Sequence, residues 1–294
     1  MTDDPLIKIS SPGLRAEIHP LGAQLCSLKD RAGRDLQWNG DPAVWKGRAP
    51  ILFPIVGALA GNAYRLDGRR FCLSRHGFAR DRMFSLTGAT SASACLRLNW
   101  DSETFALYPF RFQLDMNFHL EDTTLRMWAS VENLEDQKIL PLSFGFHPAF
   151  RWPLPYGQPR AAHALRFEYD EPAPVRRLDA HGLLAPTEFE TPVKEQRLEL
   201  RDDLFAKDAI IFDRIASRRI RYGAEHGPQL EISFEDMPQL GVWTKPEAGF
   251  ICIEPWHGFS DPQGYSGEFY DKPGLALLPP GTSKDFAMTI SLAA

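Results

Sequence analysis

The sequence predicts an all-β chain of packed antiparallel sheets, a large sandwich or barrel, on three observations. Apolar and polar residues alternate with a period of two in segment after segment, as in strands covered on one face. The 22 glycines and 24 prolines, roughly 16% of 294 residues against about 12% in average proteins, place turns often. No window of about 15 residues carries a capped apolar stripe of helical period.

Taken along the chain, Leu14, Ala16 and Ile18 alternate with Arg15, Glu17 and His19 and read as the first clear strand. Tyr64-Arg65-Leu66, Asp67-Gly68 and Arg69 to Leu73 form a hairpin signal, because Asp-Gly readily takes the positive φ angles of a type I′ turn. Asp101 to Tyr108 has room for one helical turn. The clearest pair is Phe112, Leu114, Met116, Phe118 and Leu120, then a polar break at Glu121-Asp122-Thr123, then Leu125, Met127, Ala129 and Val131. Phe286, Met288, Ile290 and Leu292 repeat the pattern after Pro279-Pro280-Gly281. Pro153 to Pro159 and Pro172 to Pro174 read as loops, and with no linker or repeat the expectation is one domain over 1–294.

Composition narrows the partners. The net charge of −5 argues against a nucleic-acid binder, whose footprint is basic. The longest apolar stretch, Ala49 to Ala60, holds two prolines and a glycine and falls short of the ~20 residues that span a bilayer. Met1 to Pro5 has neither basic nor apolar leader character. Cys26, Cys72, Cys95 and Cys252 lie far apart, three of them in apolar or alternating runs, and read as buried thiols in a reducing cytoplasm. Arg outnumbers Lys 24 to 9, which supplies bidentate ligands should the partner carry phosphate.

Four segments break the alternation. Trp45 to Gly57 is an irregular Pro-rich loop carrying Arg48; Ser74 to Arg82 brings His76, Gly77 and Arg80 together. Ser143 to Phe150 sets His147 before a proline at a strand end. Phe250 to Gly258 reads as a fully buried strand that delivers Glu254 at its end, with Trp256 as a flat apolar surface. A buried carboxylate is costly unless paired, so Glu254 marks a site. A glycosidase needs a second carboxylate as well framed as Glu254, and none is evident. A metal site from His76, His147 and Glu254 or His257 lacks diagnostic spacing. A serine hydrolase lacks G-x-S-x-G. What remains is a His acid with a Glu base, suited to moving protons on a neutral polyol.

At these segments the chain resembles the aldose 1-epimerase, or galactose mutarotase-like, superfamily. The likeness rests on Arg48 before Phe53-Pro54-Ile55-Val56-Gly57, on His76-Gly77-Phe78-Ala79-Arg80, on Phe146-His147-Pro148-Ala149-Phe150 and on Ile253-Glu254-Pro255-Trp256, with supporting fits at Leu204 to Phe212 and Val242 to Pro246. Order and spacing agree over nearly the whole chain. The resemblance implies a β-super-sandwich with a sugar site in a concave cleft. It further implies Glu254 as general base, His147 as general acid, and His76, Arg80, Arg48, Asp208 and Trp243 as sugar ligands, with no metal or other cofactor. Galactose mutarotases carry HGG where this chain has HGFAR, as in the hexose-6-phosphate epimerases and their bacterial relatives, so the implied substrate is a free or phosphorylated aldose. Neighbouring carboxylates are expected to raise the His147 pKa and keep it charged. The competing readings are a carbohydrate-binding or sensing protein without turnover and a cupin-like metal enzyme.

Overall fold

Two antiparallel sheets carry the fold in a computed structural model, which describes residues 6–293. Met1 to Pro5, read above for leader character, lies outside them. The larger sheet has nine strands, in the order Arg197–Glu199, His163–Phe167, Arg219–Ala224, Gln229–Glu235, Ser283–Ala293, Thr124–Asn133, Phe112–Glu121, Ser93–Asn99 and Ser85–Ala89. The second has eight: Leu184–Phe189, Val175–Leu178, Ile210–Phe212, Gln239–Trp243, Phe250–His257, Phe144–Phe146 and Ile51–Leu52, with Ala149–Arg151 also paired to Phe250–His257. A three-stranded sheet (Ile7–Ser10, Leu14–His19, Gln24–Asp30) and two small ribbons complete the β structure.

The alternating segments fall where their period demands. Leu114, Met116 and Phe118 face Val131, Ala129 and Met127 across the central pair, and Met127 faces Met288 on the other side, all buried. Asp67 and Gly68 have φ of 51° and 75°, as the Asp-Gly turn requires. Helix Ser102–Leu107 is capped reciprocally: the Asp101 carboxylate accepts from the Thr104 N–H at 2.7 Å, and the Thr104 hydroxyl accepts from the Asp101 N–H at 2.8 Å. The two large sheets meet through aromatic contacts such as Phe144–Phe286, with ring centroids 5.2 Å apart, and Phe167–Phe212 at 5.5 Å. Among the described residues no helix is long and apolar enough to cross a membrane.

Two expectations need correction. Only Cys26 and Cys252 are buried; Cys95 is half-buried, and Cys72 is exposed because its ribbon, Arg69–Cys72, packs through Phe71 alone. Glu254 is not at a strand end. Strand Phe250–His257 continues through Pro255 because its neighbour on that side is interrupted: Ile253 donates to the Pro148 carbonyl at 3.3 Å, and two residues on, the backbone turns Pro255 towards the same gap. The missing proline N–H therefore removes little from the ladder.

Both faces of this strand are buried. Ile251 and Ile253 join the main core, whereas Cys252, Glu254 and Trp256 point to the opposite face. There the Trp256 ring lies over glycines on both neighbouring strands. A Cβ on Gly241 would stand 2.4 Å from the ring, and one on Gly145 2.7 Å. Gly241→Ala should therefore destabilise the protein by about 1–3 kcal/mol through overpacking. Urea unfolding followed by tryptophan fluorescence measures this, and an unchanged midpoint and emission maximum would show that the ring is not held by the glycine.

Candidate active site

The strand register builds the site. Gly145 stands opposite Trp256 before the interruption at His147-Pro148, and Ala149 stands opposite Cys252 after it. The register is the same on both sides of the break, so His147 lies directly across from Glu254. Residues so placed share a face of the sheet. His147 Nε2 accordingly lies 3.2 Å from Glu254 Oε2. Both side chains are shielded, with residue exposures of 9% and 2%.

The pair lies in a cleft of about 270 Å³ that also receives His76, Arg80, Asp208 and Trp243. Arg48 does not line it. Its guanidinium donates to the Cys26 carbonyl at 2.9 Å, and Arg48 reaches the site only through its own carbonyl, which accepts from the Ala149 N–H at 2.8 Å. The cleft also takes in Trp45, Arg75, Trp256 and Ser260. Trp45 stacks on the His147 ring with centroids 5.2 Å apart. Arg75 was legible only as a neighbour of His76, and Trp45 only as the start of the Pro-rich loop. Arg82, on the other flank of the same segment, pairs with Glu103 instead.

Two cleft residues have left-handed backbones, His76 at φ 70° and Asp208 at φ 65°. Such conformations are costly for non-glycine residues and gather at functional sites. The turn at His76 is closed by Gly77, where a Cβ would stand 2.2 Å from the Phe53 carbonyl oxygen. His76 accepts the Gly57 N–H at its Nδ1 (3.1 Å) and donates its own N–H to the Gly57 carbonyl (2.8 Å). An accepting Nδ1 carries no proton, which leaves Nε2–H as the donor available to a ligand.

Burial governs the protonation of the pair. It pushes the Glu254 carboxyl well above the usual carboxylate range; Arg75 and the Trp256 indole oppose this, and Asp208 adds to it. Burial also pulls His147 down to about 3, with the charges of Arg75 and Arg80 acting in the same direction. The direction is opposite to the expectation that carboxylates keep His147 charged, and desolvation is its main cause. Burial thus favours the uncharged form of each member of the pair. Trp256 Nε1 acts on Glu254 from outside hydrogen-bond geometry, and neither it nor His147 Nδ1 has a hydrogen-bond partner among the described residues.

One cluster has metal-ligating atoms within 4.8 Å of one another, formed by His147, Cys252 and Glu254. Burial raises the Cys252 thiol well above its ordinary range, as it raises Glu254, so both hold protons that a metal would have to displace. His257, the other candidate ligand, places its Nδ1 2.9 Å from the Asp236 carbonyl.

The family model described as Aldose 1-epimerase matches residues 5–273. The chain is 34% identical over 288 residues to the chromosomal protein LacX of Lactococcus lactis subsp. lactis, covering 95% of this chain and 96% of the relative. A solved galactose mutarotase related enzyme from Lactobacillus acidophilus superposes with a TM-score of 0.90 at 26% identity, covering 99% of this chain and 98% of the other. A galactose mutarotase-like protein from Lactobacillus casei does so with 0.90 at 28%, covering 98% and 100%.

The opposite pKa shifts give opposite pH signatures in stability. The unfolded chain protonates His147 near pH 6.5 while the folded chain resists to about 3, so this residue removes stability as pH falls through that window. Glu254 keeps its proton in the fold above 4.5, where the unfolded chain loses it, so it removes stability as pH rises from there. Relative to the parent, His147→Asn should gain stability progressively below pH 6.5 and Glu254→Gln above pH 4.5, each by at most about 1.4 kcal/mol per pH unit. Thermal melts from pH 3.5 to 8 test this; curves parallel to the parent would show that neither group titrates abnormally.

Proposed function

We propose that this chain, which belongs to the aldose 1-epimerase family, interconverts the α and β anomers of an aldose by acid–base ring opening and closure at Glu254 and His147. The observation that carries the reading is the buried pair at 3.2 Å on the cleft floor. In its charged arrangement, Glu254 takes the proton of the anomeric hydroxyl while His147 gives its proton to the ring oxygen. The C1–O5 bond breaks and C1 becomes an aldehyde. Rotation about C1–C2 presents the other face, and closure returns both protons. No proton or electron leaves the cleft.

The shifts of the pair bear on this sequence. Once the ring is open, Glu254 is protonated and His147 neutral, which is the arrangement that burial favours. Arg75 favours the Glu254 carboxylate but opposes the His147 imidazolium, so the hydroxyls of a bound sugar must supply the rest of what favours the charged arrangement that begins the step. The transfers thus run between two states that the cleft supports in different ways. His76 Nε2–H, Arg80 and Asp208 offer donors and an acceptor for hydroxyls, and Trp243 and Trp256 offer apolar faces. Two arginines, Arg75 and Arg80, line the cleft, so an anionic substituent on the sugar would meet two guanidinium groups there.

Glu254→Gln and His147→Asn should each slow anomer exchange by at least ~10²-fold with the fold intact. NMR exchange spectroscopy or polarimetry on the best sugar measures this, and full activity in either variant removes that residue from the mechanism. The same assay, run across free hexoses and their 6-phosphates with inorganic phosphate as competitor, assigns the substrate. If phosphate gives less than about threefold preference and does not inhibit, Arg75 and Arg80 serve hydroxyls rather than an anion.

A further inference from the structure

Behind the cleft wall lies an ion pair that the acid–base reading leaves unused. The Lys272 side chain is fully buried and that of Asp261 nearly so, with Nζ and Oδ1 3.6 Å apart. Lys272 also donates to the Phe259 carbonyl at 2.6 Å. Burial pulls the ammonium down to about 8 and raises the carboxyl, so both charges are held at a cost. A pair of this kind is a weak source of stability beside apolar residues of the same shape. Its use lies in what it holds.

Asp261 fastens the segment that forms one wall of the cleft. Its Oδ2 accepts from the Ala60 N–H at 2.8 Å, and its N–H donates to the Ala58 carbonyl at 2.8 Å. The adjoining Ser260 hydroxyl accepts from the Ala58 N–H at 3.1 Å. Next along the chain is Gly57, whose N–H is directed at His76 Nδ1. A Cβ on Gly57 would stand 2.0 Å from Ser260 Oγ, so the two segments are in contact with no slack.

We propose that Asp261, neutralised by Lys272, is a positioning residue: it clamps 57–60 and thereby holds His76 as the Nε2–H tautomer that donates to the sugar. A backbone N–H selects the tautomer only while it stays aimed at Nδ1, and Gly57 has no side chain of its own to hold it there. The consequence for sugar binding rests on the function proposed above; the tautomer does not.

The test is ¹⁵N NMR of histidine-labelled protein together with steady-state kinetics. Removing both charges avoids leaving one buried alone, so the pair to compare is D261A/K272M and D261N/K272M. Asparagine keeps an oxygen for the Ala60 N–H; alanine does not. The parent should show His76 as the Nε2–H form. D261N/K272M should retain that signal, whereas D261A/K272M should show mixed tautomers and a KM raised about tenfold with kcat changed by less than about threefold. A folded D261A/K272M with the parent's His76 signal overturns the proposal. So does a parent protein with mixed or Nδ1–H His76, a result that needs no variant to fold. A shifted tautomer without a change in KM overturns the sugar-binding half. If the protein turns over no sugar, the NMR comparison still decides the clamp.

Discussion

The site depends on one constraint, the register between Phe250–His257 and the interrupted chain from Phe144 to Arg151. A one-residue slip on either side of His147-Pro148 would turn His147 to the other face, into the core between the sheets. Antiparallel pairing before and after the break keeps it in place. The ladder is interrupted beside the His147–Glu254 pair, since Pro148 and Pro255, one on each strand, lack an N–H to donate. The pairs at either end of the gap, Gly145 with Trp256 and Ala149 with Cys252, therefore decide where His147 and Glu254 meet.

Much of the fold was legible because half-covered strands advertise themselves. Phe112 to Leu120 and Leu125 to Val131 alternate since one face packs on the core and the other does not. Strand Phe250–His257 is different. Covered on both faces, it reads as one apolar run, and period alone does not reveal that Ile251 and Ile253 serve the main core while Glu254 and Trp256, on the other face, line the cleft. The proline in its second half made the strand look finished at Glu254. What carries it onward is the gap in its neighbour, a feature of pairing that no local pattern records.

The site was partly legible for a related reason. His76, His147 and Glu254 stand in segments that depart from alternation, and Asp208 and Trp243 entered through resemblance; all five lie in the cleft lining. Arg48 also entered as a sugar ligand through resemblance, yet its place before a Pro-rich loop does not fix where a long side chain turns, and it turns to Cys26. Arg75, which stands before His76, is exposed and also lines the cleft, so its side chain is both a surface charge and a cleft group.

The direction in which burial shifts His147 bears on the anomerisation proposed for the cleft. A carboxylate beside an imidazole raises its pKa in water, but in a shielded site both charged forms lose hydration, which acts against their mutual attraction. An enzyme that needed a permanent imidazolium would be poorly served by such burial. Anomerisation asks for something else. It moves one proton off one oxygen and another onto a second, leaving the total unchanged, so the pair must exchange between a charged and a neutral form of equal proton count. Burial alone would fix the neutral form, and a strong cation in direct contact with Glu254 would fix the carboxylate. Arg75 has no side-chain hydrogen bond or ion pair among the described residues, yet its field acts on Glu254, opposing burial without a direct bond. The same field also holds His147 down, so under the proposed reaction Arg75 helps the carboxylate without helping the imidazolium, and the sugar's own hydroxyls would have to stabilise the proton on His147.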